Sequence, residues 1–363
     1  VVIGAGSFGT AVAVLLARGG VRTTLQARTA EQAQHLEADR ENRRYLPGVL
    51  LPPNLRTGSV GAGLARADYV LLAVPSRGLE SVIAGLPAAG LGRRAAIVSL
   101  AKGLVPPRGT PTTMLLSTMF GAHRVACVGG PAHAQEMVAD GAALVAASAD
   151  EGLAHALASF IQGAGVVCVP SNDPIGVELA GVAKNAAALA AGATENQGLN
   201  AAGAAAGHIF AEVWRFAELL GGRPESMIGL AGTGDLVATA LAPQSRNRRA
   251  GELLAAGRRG DEIPGLVGQA VEALETVPLL ADALRRRGLE APVTSGLARL
   301  VAGELPLADW VALVRTTIPQ PARWRGRENA GNVLRRFLDR RKRAFRGPEP
   351  VDPMTVAPHG GAG

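Results

Sequence analysis

A single lysine, Lys184, stands in the stretch GVELAGVAKNAAALAAG (residues 176–192), the only charged side chain between Glu178 and Glu195. Alanine-rich sequence of this kind reads as a closely packed, largely buried helix. An ammonium group there has two readings. It snorkels to water along its aliphatic stem, or it is held inside for chemistry. Burial lowers a lysine pKa toward working pH. Such a group can donate a proton to an oxygen that gains charge during a reaction, and take one back in the reverse direction.

The other end of the chain carries a second candidate. VVIGAGSFGTAVAVLLARGG contains Gly4, Gly6 and Gly9 in G-x-G-x-x-G spacing, with an apolar run before it and a helix pattern after it. That context gives the motif physical meaning: Gly4 for the tight turn, Gly6 for backbone approach to a pyrophosphate, Gly9 for helix–strand packing. The helix N-terminus offers unpaired N–H groups and a positive dipole end to phosphates, with Ser7 and Phe8 inside the turn. An acidic residue at the end of the next strand would select NAD through the ribose 2′-OH. This strand ends Gln26-Ala27-Arg28-Thr29. Arg28 suits a 2′-phosphate, so NADP is expected to bind at least as well as NAD.

The elements that must position these groups follow from hydrophobic patterning. VVI, TTLQAR (Thr23–Arg28), DYVLLAVP (Asp68–Pro75), AAIVSLAKG (Ala95–Gly103) and RVACVGGP (Arg124–Pro131) are apolar runs separated by helix-like segments. That alternation predicts a parallel sheet covered on both faces. ALVAAS (Ala143–Ser148) and GVVCVP (Gly165–Pro170) can extend it. Helix patterns dominate residues 175–318, which places a boundary near residue 172 in the turn-prone PSNDP. The fold class expected is α/β, an N-terminal Rossmann-type doubly wound parallel sheet followed by an all-α substrate domain. The ranges are 1–172, 173–318, and a basic, largely disordered tail over 319–363.

Charge is confined to that tail. The net charge is +7, yet residues 323–346 alone hold ten Lys and Arg against Glu328 and Asp339, leaving residues 1–322 near neutral. Aromatics are 3% of residues, too few for stacking platforms, which argues against specific nucleic-acid binding. The tail reads as a solvated basic segment, with weak membrane-surface or polyanion contact as its functional alternative. Cys127 and Cys168 lie apart in short apolar runs without metal-ligand spacing and read as buried reduced thiols; no metal is expected. The chain opens at Val1 inside an apolar run rather than a secretion signal, and no segment resembles a membrane span. A cytoplasmic protein is the default expectation.

Several separate blocks together resemble the bacterial NAD(P)-dependent sn-glycerol-3-phosphate dehydrogenases. They are GAGSFGTAVA, YLPG…LPPNL (Tyr45–Leu55), AVPS (Ala73–Ser76), SLAKGL (Ser99–Leu104), GGPAHAQE (Gly129–Glu136), GVELAGVAKN, GLAGTGDLVAT (Gly229–Thr239), QSRNRRAG (Gln244–Gly251) and QAVEALET (Gln269–Thr276). The resemblance implies interconversion of glycerol 3-phosphate and dihydroxyacetone phosphate, supplying glycerol 3-phosphate for phospholipid synthesis. It makes Lys184 the catalytic lysine and Asp235 its carboxylate partner. Lys102 reaches both cofactor and substrate; Gly130 and Ala132 line the substrate, Ala134 and Glu272 the cofactor. Ser245, Arg246 and Asn247 contact the substrate and its phosphate, with Arg246 also near the cofactor. A homodimer is the expected assembly.

One segment departs from the family pattern. GLNAAGAAAGHIFAEVW (residues 198–214) carries Ala202, Gly203, Gly207, His208 and Ile209 where the family has polar residues. The departure leaves open another small phosphorylated ketone or 2-hydroxy compound as substrate. It also leaves open a turnover-deficient NADP-binding sensor or membrane-surface protein.

Overall fold

The computed structural model describes residues 1–242 and 244–319. The basic segment 323–346 lies outside the described residues. Among the described residues eight strands form one sheet: β1 (Val2–Ile3), β2 (Thr23–Gln26), β3 (Leu55–Gly58), β4 (Tyr69–Leu72), β5 (Ala96–Ser99), β6 (Val125–Gly129), β7 (Ala143–Ala147) and β8 (Val167–Ser171). Their order is β3-β2-β1-β4-β5-β6-β7-β8. β1 pairs with both β2 and β4, so the winding direction reverses there. Doubly wound sheets leave a ligand crevice at that switch point, beyond the carboxyl ends of the strands.

Two details differ from the expectation of patterning. β7 runs antiparallel to β6, with Gly129 opposite Val145 and Cys127 opposite Ala147. Between them lie only a turn and the short helix Ala134–Asp140. A parallel crossover must travel the full strand length back before the next strand begins, and this connection instead turns at the same edge. An apolar run does not encode its direction, so the sequence pattern is the same either way. The second detail is β3, an additional strand. Only Leu55 in LRTG is buried, too little to give a hydrophobic period.

After β8 the described chain is helical. The helix carrying Lys184, here the lysine helix, spans Pro174–Thr194. Its start is fixed by Asp173, whose Oδ1 accepts from the Gly176 N–H at 2.8 Å, with Pro174 at the first position, where its missing N–H costs nothing. The other oxygen, Oδ2, accepts from the Arg223 N–H at 2.8 Å and the Ser226 hydroxyl at 2.7 Å, tying a second segment to the same carboxylate.

The lysine helix is buried almost all round because neighbours reach its backbone. A Cβ on Gly192 would stand 2.1 Å from the Arg248 carbonyl oxygen, and one on Gly251 would stand 2.1 Å from that of Leu189. Helix Arg246–Ala255 thus crosses it at backbone contact. Alanine and glycine are required where two helices approach so closely, which accounts for the composition of residues 176–192. Cys127 and Cys168 are buried free thiols.

Removing the shared cap tests this anchoring. Asp173→Ala strips three donors of their acceptor and should destabilise the protein by about 1–3 kcal/mol, read as a lower urea midpoint with an unchanged slope.

Candidate active site

The glycine turn joins β1 to the helix Ser7–Arg18 at the switch point. Each glycine has its own reason. Gly4 has φ +115°, and a Cβ there would lie 2.5 Å from the Ala73 carbonyl oxygen beyond β4. A Cβ on Gly9 would meet the Gly4 carbonyl oxygen at 2.0 Å. Gly6 differs: its backbone suits any residue, and a Cβ would touch nothing within 4 Å. The chain itself does not demand glycine there, so the open space fits a ligand that approaches the backbone. No side chain caps the helix that follows, which leaves its first N–H groups facing the same space. Asn42 braces the turn from behind, donating to the Ala5 carbonyl at 3.0 Å and the Thr10 hydroxyl at 2.7 Å. The glycine motif gives no sign of this residue, which arrives from a distant loop.

At the carboxyl ends of β5 and β6 the structure gathers charge. Lys102, three residues beyond β5, donates through Nζ to the Gly130 carbonyl at 2.9 Å and to Asp235 Oδ2 at 2.5 Å. Lys184 Nζ lies 3.4 Å from the other oxygen, Asp235 Oδ1. Lys184 is 7% exposed and Asp235 1%, so the lysine does not snorkel to water. Asp235 begins the helix Asp235–Leu241, directly after a wide turn closed by the Gly234 N–H on the Gly229 carbonyl at 3.1 Å. Its carboxylate is not an N-terminal cap; it bridges two ammonium groups.

The electrostatics follow. Burial pushes the Lys184 ammonium down, and the neighbouring Lys102 charge adds to this; Asp235 and Glu272 oppose it, leaving a pKa of about 8. Burial alone would raise the Asp235 carboxyl, but Lys102 and Lys184 outweigh it and hold it below the usual value.

An amide network extends the cluster. Asn185 donates to the Lys102 carbonyl at 3.0 Å and to Glu272 Oε2 at 3.2 Å, and accepts from Asn247 at 2.8 Å. Asn247 Oδ1 in turn accepts from the Ala273 N–H at 3.2 Å. Ser76, at the start of the helix after β4, donates to Glu272 Oε1 at 2.9 Å. A Cβ at position 103 would lie 2.2 Å from the Ser76 hydroxyl, so a larger residue there would push Ser76 away from Glu272. The structure thus joins Lys102, Gly130, Lys184, Asp235, Asn247 and Glu272 from the sequence analysis, and adds Asn185 and Ser76. Asn185 has a visible signal in the sequence, its place beside Lys184; Ser76 closes the AVPS block after a strand but carries no charge or spacing that marks its contact with Glu272.

Other expected residues stand outside this bonded set. Arg28 is exposed at the end of β2, its N–H bound to Gln32 at 3.2 Å. Arg246 is exposed and donates to the Ala270 carbonyl at 2.9 Å. Ser245 caps the helix Arg246–Ala255 through its hydroxyl. Ala132 and Ala134 flank the turn into helix Ala134–Asp140, and Phe8 packs partly on the nucleotide-side core. The atypical segment forms helix Leu199–Leu219. There His208 is buried one turn before Glu212, which accepts from the Val293 N–H at 3.0 Å and the Thr294 N–H at 2.8 Å. His208 therefore faces a structural carboxylate.

Comparison with known proteins gives a consistent result. The model of the NAD-dependent glycerol-3-phosphate dehydrogenase N-terminus matches residues 1–154, and that of the C-terminus matches residues 173–312. The glycerol-3-phosphate dehydrogenase [NAD(P)+] of Deinococcus radiodurans is 41% identical over 315 residues, covering 85% of this chain and 92% of its own. That of Chlorobium limicola is 36% identical, covering 88% and 98%. The crystal structure of glycerol-3-phosphate dehydrogenase from Coxiella burnetii superposes with a TM-score of 0.81 at 30% identity, over 87% of this chain and 98% of that one.

The three glycines should separate on substitution. Gly6→Val is expected to fold with an unchanged thermal midpoint yet lose dinucleotide binding in a fluorescence titration. Gly9→Val, which drives a side chain into the Gly4 carbonyl, should fail to give folded protein by circular dichroism.

Proposed function

From the premise that the chain belongs to the NAD-dependent glycerol-3-phosphate dehydrogenase family, we propose that Lys184 is its proton donor and acceptor and Asp235 the group that holds it. The enzyme interconverts sn-glycerol 3-phosphate and dihydroxyacetone phosphate with NAD(P)(H). The observation that carries the assignment is a buried ammonium of pKa about 8, held 3.4 Å from a carboxylate that a second ammonium shares.

The turn Gly4–Gly9 and the N–H groups at Ser7 and Phe8 hold the dinucleotide pyrophosphate, with Gly6 leaving the space. When bound, the cofactor's nicotinamide would supply the hydride for ketone reduction. Lys184 polarises the ketone oxygen and delivers a proton as negative charge develops on it. Lys102, fixed between Asp235 and the Gly130 carbonyl, keeps a second positive charge beside that oxygen. Asp235 prevents the two ammonium groups from separating. In the oxidative direction neutral Lys184 takes the hydroxyl proton. Arg246 suits the substrate phosphate, since a planar guanidinium matches a phosphate dianion. Gly130, Ala132, Ser245 and Asn247 complete the substrate side; Ala134 and Glu272 lie toward the cofactor.

The reading extends to NADP(H) recognition through Arg28, to division of the chain near residue 172, and to a cytoplasmic homodimer. It also includes weak anionic-surface contact through residues 323–346.

Three measurements test it. Lys184→Ala should lower turnover of NADPH with dihydroxyacetone phosphate by roughly 10²- to 10⁴-fold while NADPH binding persists; unphosphorylated dihydroxyacetone should react poorly with the parent enzyme. Because protonated Lys184 is the acid, reduction should fall as pH rises through about 8 and oxidation should gain over the same interval. Arg28→Ala should weaken NADP(H) selectively, by about tenfold for a lost charge-assisted contact. A parent enzyme that binds NADH much more tightly than NADPH would remove Arg28 from this role.

A further inference from the structure

Glu178 is a buried carboxylate that the proton chemistry does not use. It lies on the lysine helix at 4% exposure and accepts from the Thr112 N–H at 2.7 Å, the Thr113 N–H at 3.1 Å and the Thr113 hydroxyl at 2.6 Å. These donors open the helix Thr112–Phe120. Thr29 and Asp150 do this work locally for their own helices, and Glu212 does it from a distance for helix Pro292–Val301. Here the cap comes from some 65 residues away, from the same helix as Lys184. Burial raises its carboxyl pKa against the effect of these hydrogen bonds, so the placement has a cost.

The consequence is geometric. The segment between Lys102 and Thr113 is pinned to the lysine helix at both ends. At the far end Glu178 holds Thr112 and Thr113. At the near end Asn185 holds the Lys102 carbonyl, and the Lys102 stem lies over Gly181. A Cβ at position 181 would stand 3.2 Å from Lys102 Cγ and 3.3 Å from its Cβ. Positions 178, 181 and 185 recur at i, i+3 and i+7, one face of a helix. Lys184 projects from the adjoining flank.

We propose that Glu178 and Gly181 are positioning residues for the catalytic pair: they seat the 102–113 segment on the lysine helix and so set where the Lys102 ammonium stands relative to Lys184 and Asp235. The proposal rests on Lys184 being the proton donor. The charged groups that face Lys184 are Lys102 from the segment after β5, Asp235 from its own helix and Glu272 from the helix Glu272–Arg286. Of these only Lys102 drives the proton off. Displacing Lys102 therefore raises the pH at which Lys184 loses its proton.

The test is the pH profile of dihydroxyacetone phosphate reduction for the parent, Gly181→Ala and Glu178→Gln, with NADPH affinity measured for each. Alanine suits a helix interior, so Gly181→Ala perturbs chiefly through Lys102. Both variants should keep NADPH affinity, lose on the order of tenfold in kcat through misplacement of a reacting group, and shift the alkaline limb upward. An alkaline limb that does not move in the variants, whether or not kcat falls, overturns the proposal. If Glu178→Gln fails to fold, Gly181→Ala decides alone. A parent enzyme with no alkaline limb near pH 8, or one whose limb survives in Lys184→Arg, faults the proton-donor assignment itself and the proposal with it.

Discussion

Two ammonium groups share one carboxylate out of water in this protein, and most of the surrounding architecture serves that arrangement. Lys102 and Lys184 would repel if left alone, and burial works against the charge on Lys184. Asp235, almost fully enclosed, takes one ammonium on each oxygen. A buried set of this kind is costly unless its geometry is tight and its remaining donors are satisfied. The Gly130 carbonyl supplies part of that satisfaction, and the Asn185 amide fixes the backbone that carries Lys102.

The three charged residues come from three different supports. Lys102 follows a sheet strand, Lys184 lies inside a helix and Asp235 begins another after a wide turn. Convergence depends on the lysine helix reaching the carboxyl edge of the sheet with little bulk on its surface. Gly181 lets the Lys102 stem lie against it. Gly129, where a Cβ would press Val177 at 2.8 Å, lets the end of β6 approach the same helix. Farther along, Gly192 and Gly251 bring the helix bearing Asn247 to backbone contact. The alanine-rich composition is therefore a packing requirement of the site and not a sign of a featureless helix.

The dinucleotide end obeys a simpler rule. Gly4 and Gly9 are there because the chain is crowded, and Gly6 because the chain leaves space. That contrast separates the two glycines that packing demands from the one that packing leaves free. The bonded cluster then extends to Ser76 and Glu272, so the segment after β4 and the helical region meet through that hydrogen bond. The atypical segment 198–214 contributes a packed helix whose Glu212 holds the start of helix Pro292–Val301.

Much of this is legible in the order of the residues. Alternating apolar runs and helix patterns specify a doubly wound sheet, because hydrophobic period is a local property. The glycine turn and Lys184 among alanines stand out by residue type and spacing, whereas Asp235 and the SRN run are singled out only by resemblance to the family. What stays hidden depends on where distant segments meet. The antiparallel β7, the weakly apolar β3, the Asn42 brace and the Ser76–Glu272 bond involve partners that no local pattern pairs. The same holds for Lys102 and Lys184, 82 positions apart in the sequence. Sequence determined that a lone lysine would stand in an alanine-rich, closely packed helix. Only the tertiary structure decided that it would share a carboxylate with a second lysine, because the energy of a buried charge is set by its neighbours in space.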